Sequence, residues 1–215
     1  MSITFYSEDE FNVVQKQLKS YQILFDNIET SLRNYYGDKI SNDDVLRSKF
    51  EDCYNFIPKL NSNFFNQLEI VNKILHTEDK PRITFLDVGC GVGSKLAIAK
   101  LFYFSNVHGI EINPIYIDNA KKIFNICKEN IFVVDALNFE NYNEYDIIYF
   151  YCPFRNWELE KKLEIKIKND MKSGSFLLAN LSKTFYTKNT KQCFEINKKF
   201  TLVSELNECQ ILRKK

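Results

Sequence analysis

The 215-residue chain has no Cys-x-x-Cys pair and only two histidines, His76 and His108. Its six cysteines, at positions 53, 90, 127, 152, 193 and 209, are scattered. A zinc site therefore has no ligand cluster to build on, no metal is expected, and the thiols read as reduced and mostly buried. No apolar run approaches the ~18 residues of a membrane span. The longest, Tyr145 to Phe154, contains Asp146 and reads as a buried strand. The stretch from Met1 to Glu10 has neither a basic n-region nor an apolar h-region, so no secretory signal is visible. A soluble, cytoplasmic protein with no membrane partner is the expectation.

Net charge is also lacking. At +1 the chain does not look like a general nucleic-acid binder. The charge is uneven, however: residues 155–215 hold 14 basic and 7 acidic groups, whereas residues 1–80 hold 9 and 13. A solvated, lysine-rich helix and tail accounts for the basic third, with an anionic partner as the alternative. An acidic front facing a basic rear would also suit a homodimer. The 45% apolar and 15% aromatic content marks a folding chain with room for one sizeable core. No internal repeat or low-complexity segment stands out.

Three helical patterns come first. Ser7-Glu-Asp-Glu10 fits a capping box, and apolar residues at Phe11, Val14, Leu18, Tyr21, Leu24/Phe25, Ile28 and Leu32 follow helical spacing up to Tyr36-Gly37. A second helix is expected from Asn42 or Asp43 to about Ile57, and a third over Phe64 to Leu75. After Pro81 the pattern alternates. Strands are expected at 82–87, 107–111, 131–135, 145–151 and 175–180. Helices are expected at 94–104, 114–128 (Asn113 as cap, Pro114 in the first turn) and 157–171. A hairpin of 200–205 and 208–213 closes the chain. Residues 181–195 make no convincing helix. The reading is an α/β fold over 79–215, a mostly parallel sheet covered by helices, with a helical lid or platform over 1–78.

The densest signal is Ile83-Thr-Phe-Leu-Asp-Val-Gly-Cys-Gly-Val-Gly-Ser94, an apolar strand ending in an acid, then glycines at alternate positions. Glycine lets backbone approach a ligand closely. Ligands of open parallel sheets bind outside the carboxyl ends of the strands, and three of those ends carry acids: Asp87, Glu111 and Asp135. Glu111 can accept from two vicinal ribose hydroxyls, and Asp135 can accept from an exocyclic amine, so the ligand contains adenosine. The dinucleotide fingerprint is G-x-G-x-x-G. Here the spacing is G-x-G-x-G with Ser94 next, and Asp87 would repel a pyrophosphate but suits a ligand with an amino group.

Asp87-Val-Gly-Cys-Gly-Val-Gly93, Gly109-Ile-Glu111, Val134-Asp-Ala136 and the fourth strand over 146–154 together resemble the seven-strand, Rossmann-like (class I) S-adenosylmethionine-dependent methyltransferases. The resemblance covers about residues 80–215. It implies S-adenosylmethionine as cofactor, strand order 3-2-1-4-5-7-6 and an antiparallel strand seven. It implies that the 87–93 loop (Asp87, Val88, Gly89, Cys90, Gly91 and Gly93) holds the methionyl part. Glu111, followed by Ile112, would hold the ribose, and Asp135 and Ala136 the adenine.

In such enzymes the end of strand four lies closest to the transferred methyl, which places Tyr151, Pro153 and Phe154 as catalytic candidates, Tyr151 also bordering the cofactor. Methyltransferases of nucleobase amines have Asp/Asn/Ser-Pro-Pro-Tyr/Phe there. This chain has Tyr151 and Cys152 in the first two places, which speaks against base N-methylation. Cys152 precedes the proline, the reverse of the Pro-Cys of pyrimidine C5 methylation, and reads as a pocket-lining or packing residue. Tyr151, Phe154 and Trp157 could form an aromatic wall for an alkylammonium acceptor, or could be core. The leading expectation is methyl transfer to a protein lysine amine. The alternatives are a small-molecule or RNA methyltransferase, or a catalytically weak cofactor-binding partner subunit.

Overall fold

A computed structural model describes residues 61–78, 80, 82–102, 104–125, 128–151, 153–180, 198–206 and 209–215, with helical residues at intervals between 16 and 31. Those helical residues agree with the first expected helix. The second expected helix, the caps at Ser7 and Gly37, Cys152 and the 181–195 connection lie outside the described residues.

The described elements are α1 (Asn61–Thr77), β1 (Thr84–Val88), α2 (Ser94–Leu101), β2 (Asn106–Glu111), α3 (Pro114–Phe124), β3 (Ile131–Val133), β4 (Ile147–Phe150), α4 (Trp157–Asp170), β5 (Phe176–Asn180), β6 (Phe200–Leu206) and β7 (Cys209–Lys214). They build one seven-stranded sheet in the order β3-β2-β1-β4-β5-β7-β6. The first five strands in that order are parallel, and β7 runs antiparallel to both β5 and β6. This is the expected order.

Each central strand is buried on both faces, which is why β1 and β4 read as near-continuous apolar runs. The period-2 alternation sends Phe85, Ile147, Tyr149, Phe176 and Leu178 to one face, where they pack with Phe64, Leu68, Val71 and Leu75 of α1 and Leu96, Ile98 and Ala99 of α2. Leu86, Val88, Ile148, Phe150, Leu177 and Ala179 face the other way, toward Leu163 and Ile167 of α4 and the aromatic cluster of Phe139, Tyr142 and Tyr145.

Several boundaries move inward from the sequence reading. Helix α3 stops at Phe124, four residues early, because Asn125 turns left-handed at φ 51° and ψ 37°. Helix α2 ends at Leu101 with Phe102 as its cap. Strand β3 is short because Asp135 folds back to cap a 3-10 turn over 136–138. Strand β4 begins at Ile147 because Asp146 is committed to the opposite end of the sheet. There its Oδ1 lies 2.7 Å from Lys80 Nζ and 2.6 Å from Lys172 Nζ, and its Oδ2 accepts the Thr84 N–H at 2.9 Å.

Candidate functional site

The glycine turn is tied to the end of β2 by backbone bonds. The Gly89 and Cys90 N–H groups both donate to the Ile110 carbonyl, at 2.9 and 3.0 Å. Gly89, Gly91 and Gly93 take positive φ of 74°, 53° and 81°, which a side chain at any of them would strain. Gly93 then caps α2 from the left-handed region.

Glu111 closes the arrangement. Its Oε2 accepts the Gly91 N–H and its Oε1 accepts the Asn113 N–H, both at 2.9 Å. Burial pushes its carboxyl up, and the N–H bonds from Asn113, Gly91 and Ile112 pull it back toward ionisation. Each carboxylate oxygen has two lone pairs, so these three backbone bonds still leave acceptor capacity for a hydroxyl donor. Asn113 holds the chain for this purpose: its side chain accepts the Ile115 N–H at 3.0 Å, with Pro114 at the first helical position.

The other expected residues are distributed unevenly around this centre. Asp87 is buried at the end of β1, in register with Gly109 of β2 and Tyr149 of β4. The side chain of Val88 is in the core, leaving only its backbone for a ligand. Cys90 is a free, buried thiol packed against Gly109. Burial first, then Asp87 and Glu111, push it well above the ordinary thiol range, so it is a packing residue rather than a nucleophile. Ile112 is half-buried beside Glu111. Asp135 Oδ1 accepts the Leu137 N–H at 2.9 Å, so this acid serves as a turn cap. Ala136 is buried under that turn.

The three rings after β4 do not share one wall. Tyr151 is half-buried and packs toward the α1 face, Phe154 is buried in the core on the α4 face, and Trp157 starts α4 with 38% of its surface exposed. Pro153 leans on the glycine turn, where a Cβ built on Gly89 would stand 3.1 Å from the Pro153 Cβ.

Two contacts bring the front half of the chain to this site. Phe64 of α1 reaches Tyr149 edge-on at 4.7 Å, bringing the N-terminal helix of the described core beneath the β4 end. Ile28, from the front segment, packs with Val92 of the glycine turn and Tyr116 of α3. No group of three or more His, Cys, Asp or Glu able to hold a metal exists among the described residues. None of their helices is long and apolar enough to cross a membrane.

A family described as a methyltransferase domain matches residues 86–179, from inside β1 to the last residues of β5. Among solved structures, the chain is similar in fold to the PH0226 protein from Pyrococcus horikoshii OT3, at 17% identity and a TM-score of 0.51, covering 71% of this chain and 91% of that one. It also matches magnesium protoporphyrin IX methyltransferase from Synechocystis PCC 6803, solved with bound S-adenosylmethionine, at 14% identity and TM-score 0.49, over 86% and 94% of the two chains. A third is CalS10, an amino pentose methyltransferase from Micromonospora echinaspora, at 16% identity and TM-score 0.42, over 59% and 58%. The chain spans less than two thirds of the length of several such neighbours. A comparison with curated proteins gave no match.

Proposed function

We propose that this chain, whose residues 86–179 match a methyltransferase-domain family and whose seven-strand sheet has the Rossmann-like order, is a class I enzyme that transfers a methyl group from S-adenosylmethionine to a nucleophilic acceptor. The observation that carries the reading is the Glu111 carboxylate, fixed at the end of β2 by Gly91 and Asn113 beside a turn of three positive-φ glycines. That acid is oriented before a ligand arrives, and pre-orientation lowers the cost of binding. In this reading Glu111 accepts from the ribose hydroxyls, with Ile112 beside it. Asp135 and the backbone around Ala136 face the adenine. Asp87 and the 87–93 backbone take the amino-acid end.

The bound cofactor supplies an electrophilic sulfonium methyl; the chain contributes binding, orientation and exclusion of water. Tyr151 and Pro153 border the acceptor side, with Phe154 behind them in the core. The front segment acts as a lid or platform, a role supported by Ile28 against Val92 and Tyr116. For the acceptor, a lysine amine of a protein is the finer reading, resting on Tyr151 as an aromatic surface for an alkylammonium. The burial of Phe154 removes one ring from the expected wall and favours the second reading, a small-molecule acceptor.

Calorimetric titration with S-adenosylmethionine and S-adenosylhomocysteine, with NADH as control, tests the proposal. Saturable binding of the first two and none of NADH is the expected result, and a labelled-methyl screen of protein, RNA and metabolite pools then finds the acceptor. No binding of either sulfur ligand would overturn it.

A further inference from the structure

The loop after β4 meets the glycine turn through Pro153 and a buried acid through the next residue. The Phe154 N–H donates to Oε2 of Glu160 at 3.2 Å. Glu160 lies in the first turn of α4, where an acid suits the helix dipole, but such acids normally face water. This one is only 4% exposed, and its Oε1 has no hydrogen-bond partner. Glu164, one turn further on, is fully buried as well.

The backbone around Glu160 is equally fixed. Its own N–H donates to the Asn156 carbonyl at 3.0 Å, and the Asn156 side chain accepts the Glu158 N–H at 3.0 Å. Residues 154–160 are thus tied together by three hydrogen bonds, one of them to the buried carboxyl. Burial pushes that carboxyl up to about 8, opposed by the Phe154 N–H and reinforced by Glu164. A group held largely neutral avoids the cost of an anion in apolar surroundings.

We propose that Glu160 is the positioning residue of the acceptor loop: by fixing the Phe154 N–H it seats Pro153 on the Gly89 turn, so that the cofactor turn and the acceptor side move as one unit. This rests on the methyltransferase reading, because it assigns the 151–154 loop to the acceptor. Two facts carry it: Pro153 lies so near Gly89 that a Cβ added there would stand 3.1 Å from the Pro153 Cβ, and the buried bond from Phe154 comes one residue later. A rigid link between a turn and a loop of one site is what alignment of donor and acceptor requires.

Amide exchange at Phe154 by NMR and S-adenosylhomocysteine affinity by calorimetry test it, in wild type, Glu160→Ala and Glu160→Gln. In Glu160→Ala, Phe154 exchange should accelerate roughly tenfold relative to β4 amides and the ligand should bind about five to ten times more weakly, the scale of one hydrogen bond. Glu160→Gln offers an oxygen to the same N–H and should restore both. Wild-type exchange at Phe154 as fast as in an open peptide would overturn the proposal. So would Glu160→Gln as impaired as Glu160→Ala, or affinity unchanged in Glu160→Ala. Should Glu160→Ala fail to fold, wild-type protection and the Glu160→Gln result decide alone. A wild type that does not bind the ligand overturns the methyltransferase reading, and the assignment of this loop with it.

Discussion

Glu111 accepts the Gly91 N–H at 2.9 Å across 20 residues of sequence, so the acid at the end of β2 and the turn at the end of β1 are parts of one object. Ligand contacts made by either therefore depend on the other. Replacing Glu111 by alanine removes a charged acceptor and releases the Gly91 and Asn113 N–H groups together. Affinity for S-adenosylhomocysteine should fall about 100-fold, the size expected for two charge-assisted hydrogen bonds worth ~3 kcal/mol in sum. Calorimetry reads this directly, and unchanged affinity would remove Glu111 from the site.

The glycine turn and the acids at three strand ends could be read from the chain, because each follows from local pattern, whereas the strand order followed only from the family resemblance that those motifs carry. Alternation and glycine spacing are properties of a few neighbouring residues. What was hidden depends on distant partners. Glu160 and Glu164 sit in a lysine-rich helix that reads as a solvated face, and nothing local says that two of its acids turn inward. Phe154 could be read either as a wall for the acceptor or as core, and only its packing with Leu163 and Ile167 decides for core. Asp135 shows the ambiguity most plainly, since an acid before a 3-10 turn serves as a cap whether or not it also meets a ligand.

Gly109 sits under the turn where no side chain fits. A Cβ there would lie 2.6 Å from Cys90 Sγ, 2.8 Å from Cys90 Cβ and 2.9 Å from Leu96 Cδ1. Gly109→Ala should therefore cost about 1–3 kcal/mol of stability in urea unfolding, as overpacked cores do. Adding Cys90→Ala removes the nearest atom and should recover part of the loss. Simple additivity of the two substitutions would show that Cys90 is not what blocks the space.

His108 links stability to pH on the side of the sheet that carries Asp135. Its Nδ1 lies 2.9 Å from the Tyr145 hydroxyl, and its ring meets Phe132 and Tyr145 edge-on. Burial holds its pKa below the ordinary histidine value, against an opposing pull from Glu144. The unfolded chain therefore binds this proton more readily than the native one. The contribution is complete above ~6.5 and is lost as pH falls through the lower native value. In His108→Phe the dependence of unfolding free energy on pH below ~6.5 should flatten by up to about one proton. An unaltered slope would show that His108 does not carry it.

Asp146 should dominate the acid limb at lower pH. Its carboxyl is 2% exposed as a residue, and burial opposes its charge. The bonds from Lys172, Lys80 and Thr84 outweigh that burial and hold the carboxyl below the usual aspartate range. A depressed native pKa means stability that is present above the unfolded value of ~3.9 and lost as pH falls through the native one. Both lysines are about a third exposed, so solvent screens part of the attraction. Asp146→Asn keeps an oxygen for the Thr84 N–H but gives up the charge, and should cost about 1–2 kcal/mol at pH 7. In urea unfolding at pH 3 and below, the gap between wild type and variant should close, because the wild-type carboxyl is being protonated there. A gap of equal size at both pH values would mean that the oxygen contacts, not the charge, hold the two strands together at this end.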